Sequence, residues 1–390
     1  MTPLRIAFVA GEASGDQLGA ALIAALRARV PQLTCYGVAG PRMRAAGCEA
    51  WASSDELAVM GLTEVLRHLP RLLRLRRTLA SRLLRERPDA FVGIDSPEFN
   101  LPLAARLKAS GIATVQYVSP QVWAWRPGRV RKIARAGDLV LCLLPFEPEF
   151  YARSGVKAVF VGHPLADQIP LEVDRAGARA QLQIGPGPVV ALLPGSRIGE
   201  IDRLGRDFLA AARYLKARRP ELQFVAPMAS AAVRERFLAQ MATADAPPIR
   251  LTDGTVQQVL AAADVVLVTS GTATLETLLS KRPMVVAYRF AAFTHFVLSR
   301  LRLVKVPYFS QPNLLAGRAL VPELLQQQVT GEALGRAVLG QLEDPGHALQ
   351  LGAEFRRIHE QLRRDGAALA ADSIVRLLGR GAAPGAAERP

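Results

Sequence analysis

Val265-Val266-Leu267-Val268-Thr269-Ser270-Gly271-Thr272-Ala273-Thr274-Leu275-Glu276 opens with aliphatic residues and no polar alternation. A strand buried on both faces reads this way, because neither side carries a solvated residue. The run ends at Thr269. Ser270, Gly271 and Thr272 then supply a tight turn with exposed backbone N–H groups, and helical spacing follows. Strand, small-residue loop and helix together form the repeating step of a parallel sheet with helical crossovers. The step recurs upstream, where residues 189–193 run into Pro194-Gly195-Ser196-Arg197. It recurs near the start, where residues 5–10 run into Gly11-Glu12-Ala13-Ser14-Gly15-Asp16.

Apolar runs at 35–38, 90–94, 113–118, 139–143 and 158–161 extend the first series. Those at 222–226, 249–251 and 284–287 extend the second. Between them lie segments with apolar residues three or four apart, such as Leu18, Leu22, Ile23 and Leu26. Gly162-His163-Pro164, Pro170 and Gly185-Pro186-Gly187-Pro188 interrupt the alternation and read as a linker region. The pattern predicts an α/β protein of two Rossmann-like domains, over residues 1–168 and 169–345. Helices over 346–378 are expected to pack back on the first domain, followed by a disordered Gly/Ala/Pro-rich tail at 379–390. The length of 390 residues exceeds what one ordinary core holds and suits this division.

Charged residues are 21% of the chain and hydrophobic residues 50%, which excludes a disordered protein. The formal net charge is +15. A balance that basic points to an anionic partner: nucleic acid, an acidic membrane surface or a phosphorylated substrate. Cys35, Cys48 and Cys142 are odd in number and form no Cys-x-x-Cys pair, so buried, reduced thiols are expected. The short apolar run after Met1 reads as a buried strand and not as a signal peptide. No stretch reaches the ~18 apolar residues of a membrane span. Residues 290–299, bracketed by Arg289 and Arg300 and containing His295, suit a membrane surface at most.

In open parallel sheets, ligands bind beyond the carboxyl ends of the strands. The turn Ser270-Gly271-Thr272 suits phosphate there, since a helix N-terminus offers free N–H groups and a favourable dipole. Glu276, about one turn into the helix, suits the paired hydroxyls of a ribose. The same residues equally suit a capped helix start with a favourable acid. In the second loop Gly195 permits close approach, Ser196 can cap, and Arg197 offers a planar fork to phosphate oxygens. Asp95 follows apolar Phe91-Val92-Gly93-Ile94, so it sits at a sheet edge where it suits a general base. Asp95 and Ser96 before Pro97 also suit a helix cap, as do Ser14 and Asp16 in the first loop. Trp123 and Trp125 stand beside Arg126, Arg129, Arg131 and Lys132, which suits an anionic amphipathic ligand or a packed aromatic corner. His163 reads as structural. There is no Asp-x-Asp pair and no His/Cys cluster, so cations and helix N-termini are expected to carry any diphosphate charge, with no metal and no cofactor.

From 62 to 88, leucines recur at helical spacing among arginines, and Pro70 is expected to kink or divide the helix. This composition suits an interfacial helix on anionic lipid, or a core helix with a solvated arginine face. Aromatics are 6% of the chain and do not interleave with the arginines, so nucleic acid is disfavoured.

The motifs taken together resemble the lipid A disaccharide synthase family. They are Gly-Glu-x-Ser-Gly-Asp at 11–16, Gly-Val-Ala-Gly-Pro-Arg-Met at 37–43, Glu-Leu-Ala-Val-Met-Gly at 56–61 and Gly-Ile-Asp at 93–95. Tyr-Val-Ser-Pro-x-Val-Trp-Ala-Trp-Arg at 117–126, Leu-Leu-Pro-Gly-Ser-Arg at 192–197, Ser-Gly-Thr-Ala at 270–273 and Pro-Asn-Leu-Leu-Ala-Gly-Arg at 312–318 complete the series. The resemblance implies a GT-B fold, with two Rossmann-like domains facing each other across a cleft. It implies an inverting transfer of diacylglucosamine from UDP-2,3-diacylglucosamine to 2,3-diacylglucosamine 1-phosphate, giving a β-1,6 disaccharide and UDP. By that analogy Asp95 is the base and Arg197 stabilises the leaving diphosphate. Ser196, Arg197, Ser270, Gly271, Thr272, Glu276 and Asn313 bind the UDP-sugar, with Glu276 on the ribose. Glu12, Ser14, Asp16, Trp125 and Arg126 lie on the acceptor side. The implied setting is the cytoplasmic, anionic surface of a Gram-negative inner membrane, with no nucleic acid partner and no fixed oligomeric state. Glu98 stands where the family pattern has Asp. Two other readings share parts of this pattern. A UDP-N-acetylglucosamine 2-epimerase or another GT-B transferase would share the nucleotide loops but not the first-half motifs. A non-catalytic lipid- or nucleic-acid-binding protein would need neither the carboxylate nor paired phosphate loops.

Overall fold

The computed structural model describes residues 3–57, 62–120, 127–253, 255–290 and 308–379, the side chains of 62–67 and 127 excepted. The chain divides into two compact units. One is Met1–Pro164 with the segment from Leu362 onward, and the other is Leu165–Gln361.

The first unit holds β1 (Leu4–Ala10), β2 (Leu33–Ala39), β3 (Glu49–Ser53), β4 (Ala90–Ile94), β5 (Ala113–Tyr117), β6 (Leu139–Cys142) and β7 (Ala158–Phe160). They form a parallel sheet in the order β3-β2-β1-β4-β5-β6-β7. The second holds β8 (Val189–Leu193), β9 (Gln223–Pro227), β10 (Ile249–Thr252), β11 (Val265–Thr269), β12 (Met284–Tyr288) and β13 (Glu323–Leu325), parallel in the order β10-β9-β8-β11-β12-β13. The expected class, two parallel α/β sheets, is the one observed. In each sheet the strand order reverses once, between β1 and β4 and between β8 and β11. Adjacent loops diverge to opposite faces at such a point and leave a crevice beyond the strand ends. Register places Ala10 beside Ile94 and Leu193 beside Val268. The loops that carry Glu12 and Asp95, and those that carry Arg197 and Ser270, therefore start at these two switch points.

β8 and β11 are buried along their whole lengths, which is why they read as unbroken aliphatic runs. Each fully buried Val, Leu or Ile contributes about 1.5–3 kcal/mol of transfer energy. On one face of the first sheet, helix Ala13–Arg29 packs with helix Gly366–Leu377 through Leu22, Ile23, Leu26, Ala370 and Ile374. The Arg29 guanidinium pairs with the Asp372 carboxylate across them. Helix Pro345–Leu362 belongs, up to Gln361, to the second unit. Its His359 is fully buried, with Nε2 2.9 Å from the Ala166 carbonyl oxygen and Nδ1 2.6 Å from Lys281 Nζ.

Helix Leu62–Glu86 runs through Pro70 as one element, so of the expected kink or division the division does not occur. Leu79, Ala80 and Leu83 are buried against Leu103 and Leu107, so this half of the apolar stripe serves the core. Leu69 remains 41% exposed, and Arg71, Arg74, Arg77 and Arg85 face solvent. Arg82 instead lies over the Trp51 ring, 3.7 Å from its centroid. The stretch read as a linker contains two short helices, Pro164–Gln168 and Arg175–Gln181.

Candidate active site

In the second unit a pocket of about 330 Å³ opens at the β8/β11 switch point. Ser196, Arg197, Ser270, Gly271, Thr272 and Glu276 all line it. Two helices, Ile198–Arg218 and Thr272–Leu279, begin at its wall. Their free N–H groups and dipoles favour an anion between them. Gly195 turns at φ +142°, and a Cβ there would lie 2.4 Å from Glu200 Cβ. The absent side chain lets Glu200 fold over the loop, where its Oε2 accepts the Ser196 N–H at 2.8 Å. Glu200 Oε1 lies 3.7 Å from the Arg197 guanidinium, whose side chain is 70% exposed. A carboxylate thus occupies N–H and guanidinium donors that suit phosphate. Glu200 stands at the N3 position after Arg197, where acids cap helix starts. That spacing was the signal for a residue the sequence reading passed over.

Glu276 accepts a 2.8 Å hydrogen bond from Gln257 Nε2. Burial pushes its carboxyl above the usual range, and the Gln257 bond partly offsets that. Ser270 Oγ donates to the Phe309 carbonyl at 2.8 Å and its N–H to the Ala287 carbonyl at 3.0 Å, so Ser270 braces the loop at the pocket wall. Asn313 is not brought to this pocket. It is 1% exposed, and its Oδ1 accepts the N–H groups of Leu320 and Val321 while its Nδ2 donates to Val321 O and Glu323 Oε1. Both ends of the amide are spent on backbone and Glu323, which holds the Ser310 turn behind Ser270.

In the first unit Asp95 follows β4 in a left-handed conformation, φ 51°, and Ser96 continues it at φ 42°. Two successive non-glycine residues there cost roughly 1–3 kcal/mol each and persist only when their surroundings hold them. The holding groups are visible. The Asp95 N–H donates to Tyr117 O at 2.8 Å. The Asp95 carbonyl accepts from Asn100 Nδ2 at 2.9 Å and Gln116 Nε2 at 3.1 Å. Gly11 packs against this corner so closely that a Cβ would sit 2.2 Å from Ser96 Oγ. Among the described residues nothing bonds the Asp95 carboxylate, which is partly exposed at the β1/β4 switch point. Asn100 and Gln116 gave no signal in sequence, because their role depends on the carbonyl that the turn presents to them.

Asp16 is 3% exposed, and its carboxylate accepts N–H groups from Gly40, Arg42 and Met43 at 2.8–3.0 Å. It therefore caps helix Pro41–Ala45 from the first turn of helix Ala13–Arg29. Glu12 and Ser14 are exposed at the start of helix Ala13–Arg29. Trp125 and Arg126 lie outside the described residues. Among the described residues no group of three or more His, Cys, Asp or Glu converges as a metal site would.

A family model described as lipid-A-disaccharide synthetase matches residues 6–374 of this sequence. The chain belongs to the lipid-A-disaccharide synthetase family. The lipid-A-disaccharide synthase of Pseudomonas syringae pv. tomato is 54% identical over 379 residues, covering 97% of this chain and 98% of that one. The enzyme of Pseudomonas aeruginosa strain UCBPP-PA14 is 52% identical over 378 residues, covering 97% and 99%. Family membership over this length makes the chain a hexosyltransferase of lipid A disaccharide synthesis. Solved glycosyltransferases share the fold. The calicheamicin glycosyltransferase CalG4 superposes with a TM-score of 0.61 at 18% identity, over 98% of this chain and 100% of that one. The UDP-GlcNAc 2-epimerase of Neisseria meningitidis gives 0.58 at 12% identity, over 97% and 100%. These likenesses identify the GT-B architecture and nothing finer. Among the described residues no helix is long and apolar enough to cross a membrane.

Proposed function

We propose that the chain transfers 2,3-diacylglucosamine from its UDP donor to the 6-hydroxyl of 2,3-diacylglucosamine 1-phosphate by a single displacement. Asp95 takes the hydroxyl proton. The oxygen attacks the anomeric carbon as the bond to the diphosphate breaks, so an α-linked donor gives a β-linked product and UDP leaves. Arg197, the Ser196 N–H and the turn from Ser270 to Thr272 meet the charge that grows on the diphosphate. Pre-placed donors of this kind are worth about 10²–10³-fold in rate. Glu276 accepts from the ribose hydroxyls, with Gln257 orienting it. Glu200 yields its hold on the Ser196 N–H when the diphosphate arrives. The observation that carries this reading is the convergence of two helix N-termini and Arg197 on the pocket that also contains Glu276. An N-terminal unit spanning roughly 1–168 would serve the acceptor and one spanning 169–345 the donor.

The setting we propose is the cytoplasmic surface of the inner membrane. The net charge of +15 and the solvent-facing arginines of helix Leu62–Glu86 support it. Mass spectrometry and NMR of the product test the reaction: UDP with a β-1,6 disaccharide is expected, and an α-linked product would refute single displacement. Binding to anionic vesicles should weaken as salt rises. Binding that ignores salt would remove the electrostatic argument.

A further inference from the structure

The first unit contains an apolar groove that the proposed chemistry leaves unused. It measures about 250 Å³ and lies between helices Pro97–Lys108 and Val130–Ala136. Leu101, Pro102 and Ala105 form one wall, and Ile133 and Pro120 close the floor. Deeper down, Leu107 and Ile133 are fully buried, so the helices are in contact there. Nearer the surface the small Ala105 and the ring of Pro102 leave them apart. Leu101 and Ala105 stay only half-buried. A concave apolar surface with a few polar groups at its mouth is the usual form of a small-ligand site.

The mouth is cationic. Arg129, Lys132 and Arg135 border it, and Glu98 is the one carboxylate among the described residues that line it. Glu98 pairs with Arg129, at 2.6 Å from Nη1 and 3.3 Å from Nη2, with its own side chain 76% exposed. A surface pair of this kind is weakly held. A phosphate can exchange with Glu98 for the Arg129 fork, which matches phosphate geometry as well as carboxylate. An apolar slot beneath three cations is complementary to an acyl chain joined to a phosphorylated headgroup. The groove also has a fixed relation to the chemistry, for Pro97, which lines it, is two residues along the chain from Asp95.

We propose that this groove is the acceptor's acyl-chain subsite, and that Arg129, Lys132 and Arg135 take the acceptor's phosphate. The assignment rests on the reaction proposed above for its choice of occupant. It makes the acceptor's chain length a determinant of KM through Leu101, Pro102, Ala105 and Ile133. It also places the substrate's negative charge in the first unit.

Two variants test it. Ala105→Trp fills the slot from a half-buried position, and Lys132→Ala with Arg135→Ala removes exposed cations. Thermal melts establish that both are folded. With wild type, replacing long acyl chains on the acceptor by acetyl groups should raise its KM at least tenfold. Ala105→Trp should raise KM for the long-chain acceptor at least tenfold, leave the acetylated one within twofold, and leave donor KM unchanged. The cation variant should lose at least tenfold on the phosphorylated acceptor and nothing on a dephosphorylated one. Dodecyl phosphate, titrated calorimetrically below its micellar concentration, reads the groove without turnover. It should bind wild type at least tenfold more tightly than Ala105→Trp. Equal binding to both would overturn the proposal whether or not a disaccharide forms. Unequal binding without disaccharide formation would keep the groove and overturn the reaction. Phosphatidylglycerol vesicles that inhibit wild type but not Ala105→Trp would assign the slot to membrane lipid and overturn the acceptor assignment.

Discussion

Asn100→Ala separates the holding of Asp95 from the stability of the fold. Asn100 is fully buried, and its Nδ2 faces three carbonyl oxygens, those of Asp95 at 2.9 Å and of Val9 and Ile94 at 3.4 Å. With acceptors only on that side, the NH₂ end must face them, and Oδ1 points away with no partner among the described residues. Removing the amide loses one good hydrogen bond, worth about 1 kcal/mol, and relieves an unpaired buried oxygen, worth about 1–3 kcal/mol. The two nearly cancel, and Gln116 still bonds the Asp95 carbonyl. Stability should therefore shift by no more than about 1–2 kcal/mol. Catalysis should not be spared. The left-handed turn at Asp95 and Ser96 stores roughly 1–3 kcal/mol per residue, and with one of its two amide anchors gone the corner relaxes. A loss of about 1.4 kcal/mol in transition-state placement is tenfold in rate. Urea unfolding, kcat and calorimetric UDP binding on the same preparation read the three quantities. The expected result is near-native stability, kcat down about tenfold and UDP affinity within twofold. Unchanged kcat would refute the anchoring, and a parallel fall in UDP affinity would show that the change reaches the nucleotide unit.

Two further outcomes follow from particular backbone and burial observations. Gly195→Ala places a Cβ at φ +142° and 2.4 Å from Glu200 Cβ, so UDP should bind at least tenfold more weakly by calorimetry, with a stability loss of about 1–3 kcal/mol. Adding Glu200→Ala should recover part of that loss by clearing the contact, but not the part due to φ. Burial holds His163 down at about 4 against an ordinary value near 6.5. Its contribution is complete above pH 6.5 and is lost as pH falls towards 4, on the order of 3 kcal/mol at about 1.4 kcal/mol per unit. Urea midpoints of wild type and His163→Gln should converge over that window, and parallel curves would reject the assignment.

The interior of both sheets was legible because strands covered on two faces leave no choice of residue. β4 and β8 begin and end where Ala90-Phe91-Val92-Gly93-Ile94 and Val189-Val190-Ala191-Leu192-Leu193 place them. The edge strands β3 and β13 were not. Glu49-Ala50-Trp51-Ala52-Ser53 and Glu323-Leu324-Leu325 are short, partly exposed and free of β-branched residues. Small residues announced the loops after β8 and β11, since a backbone that must approach a ligand or its own helix excludes a side chain. Polar residues in such loops are ambiguous, because one carboxylate or amide can serve a ligand or a backbone N–H. The structure spends Asp16 on three N–H groups and Asn313 on two. Gln257, Asn100 and Gln116 act on groups brought to them only by folding, so neither period nor spacing marked them as site residues, whereas Glu200 was marked by its N3 spacing after Arg197.

The central claim is a division of labour: UDP is held in the second unit, and the proton is taken by Asp95 in the first. Asp95→Ala, assayed for disaccharide formation and, on the same preparation, for UDP affinity by calorimetry, tests it most directly. The account predicts that turnover falls at least about 10²-fold, as expected for a lost general base, with UDP affinity within twofold of wild type. Turnover near the wild-type rate would contradict it.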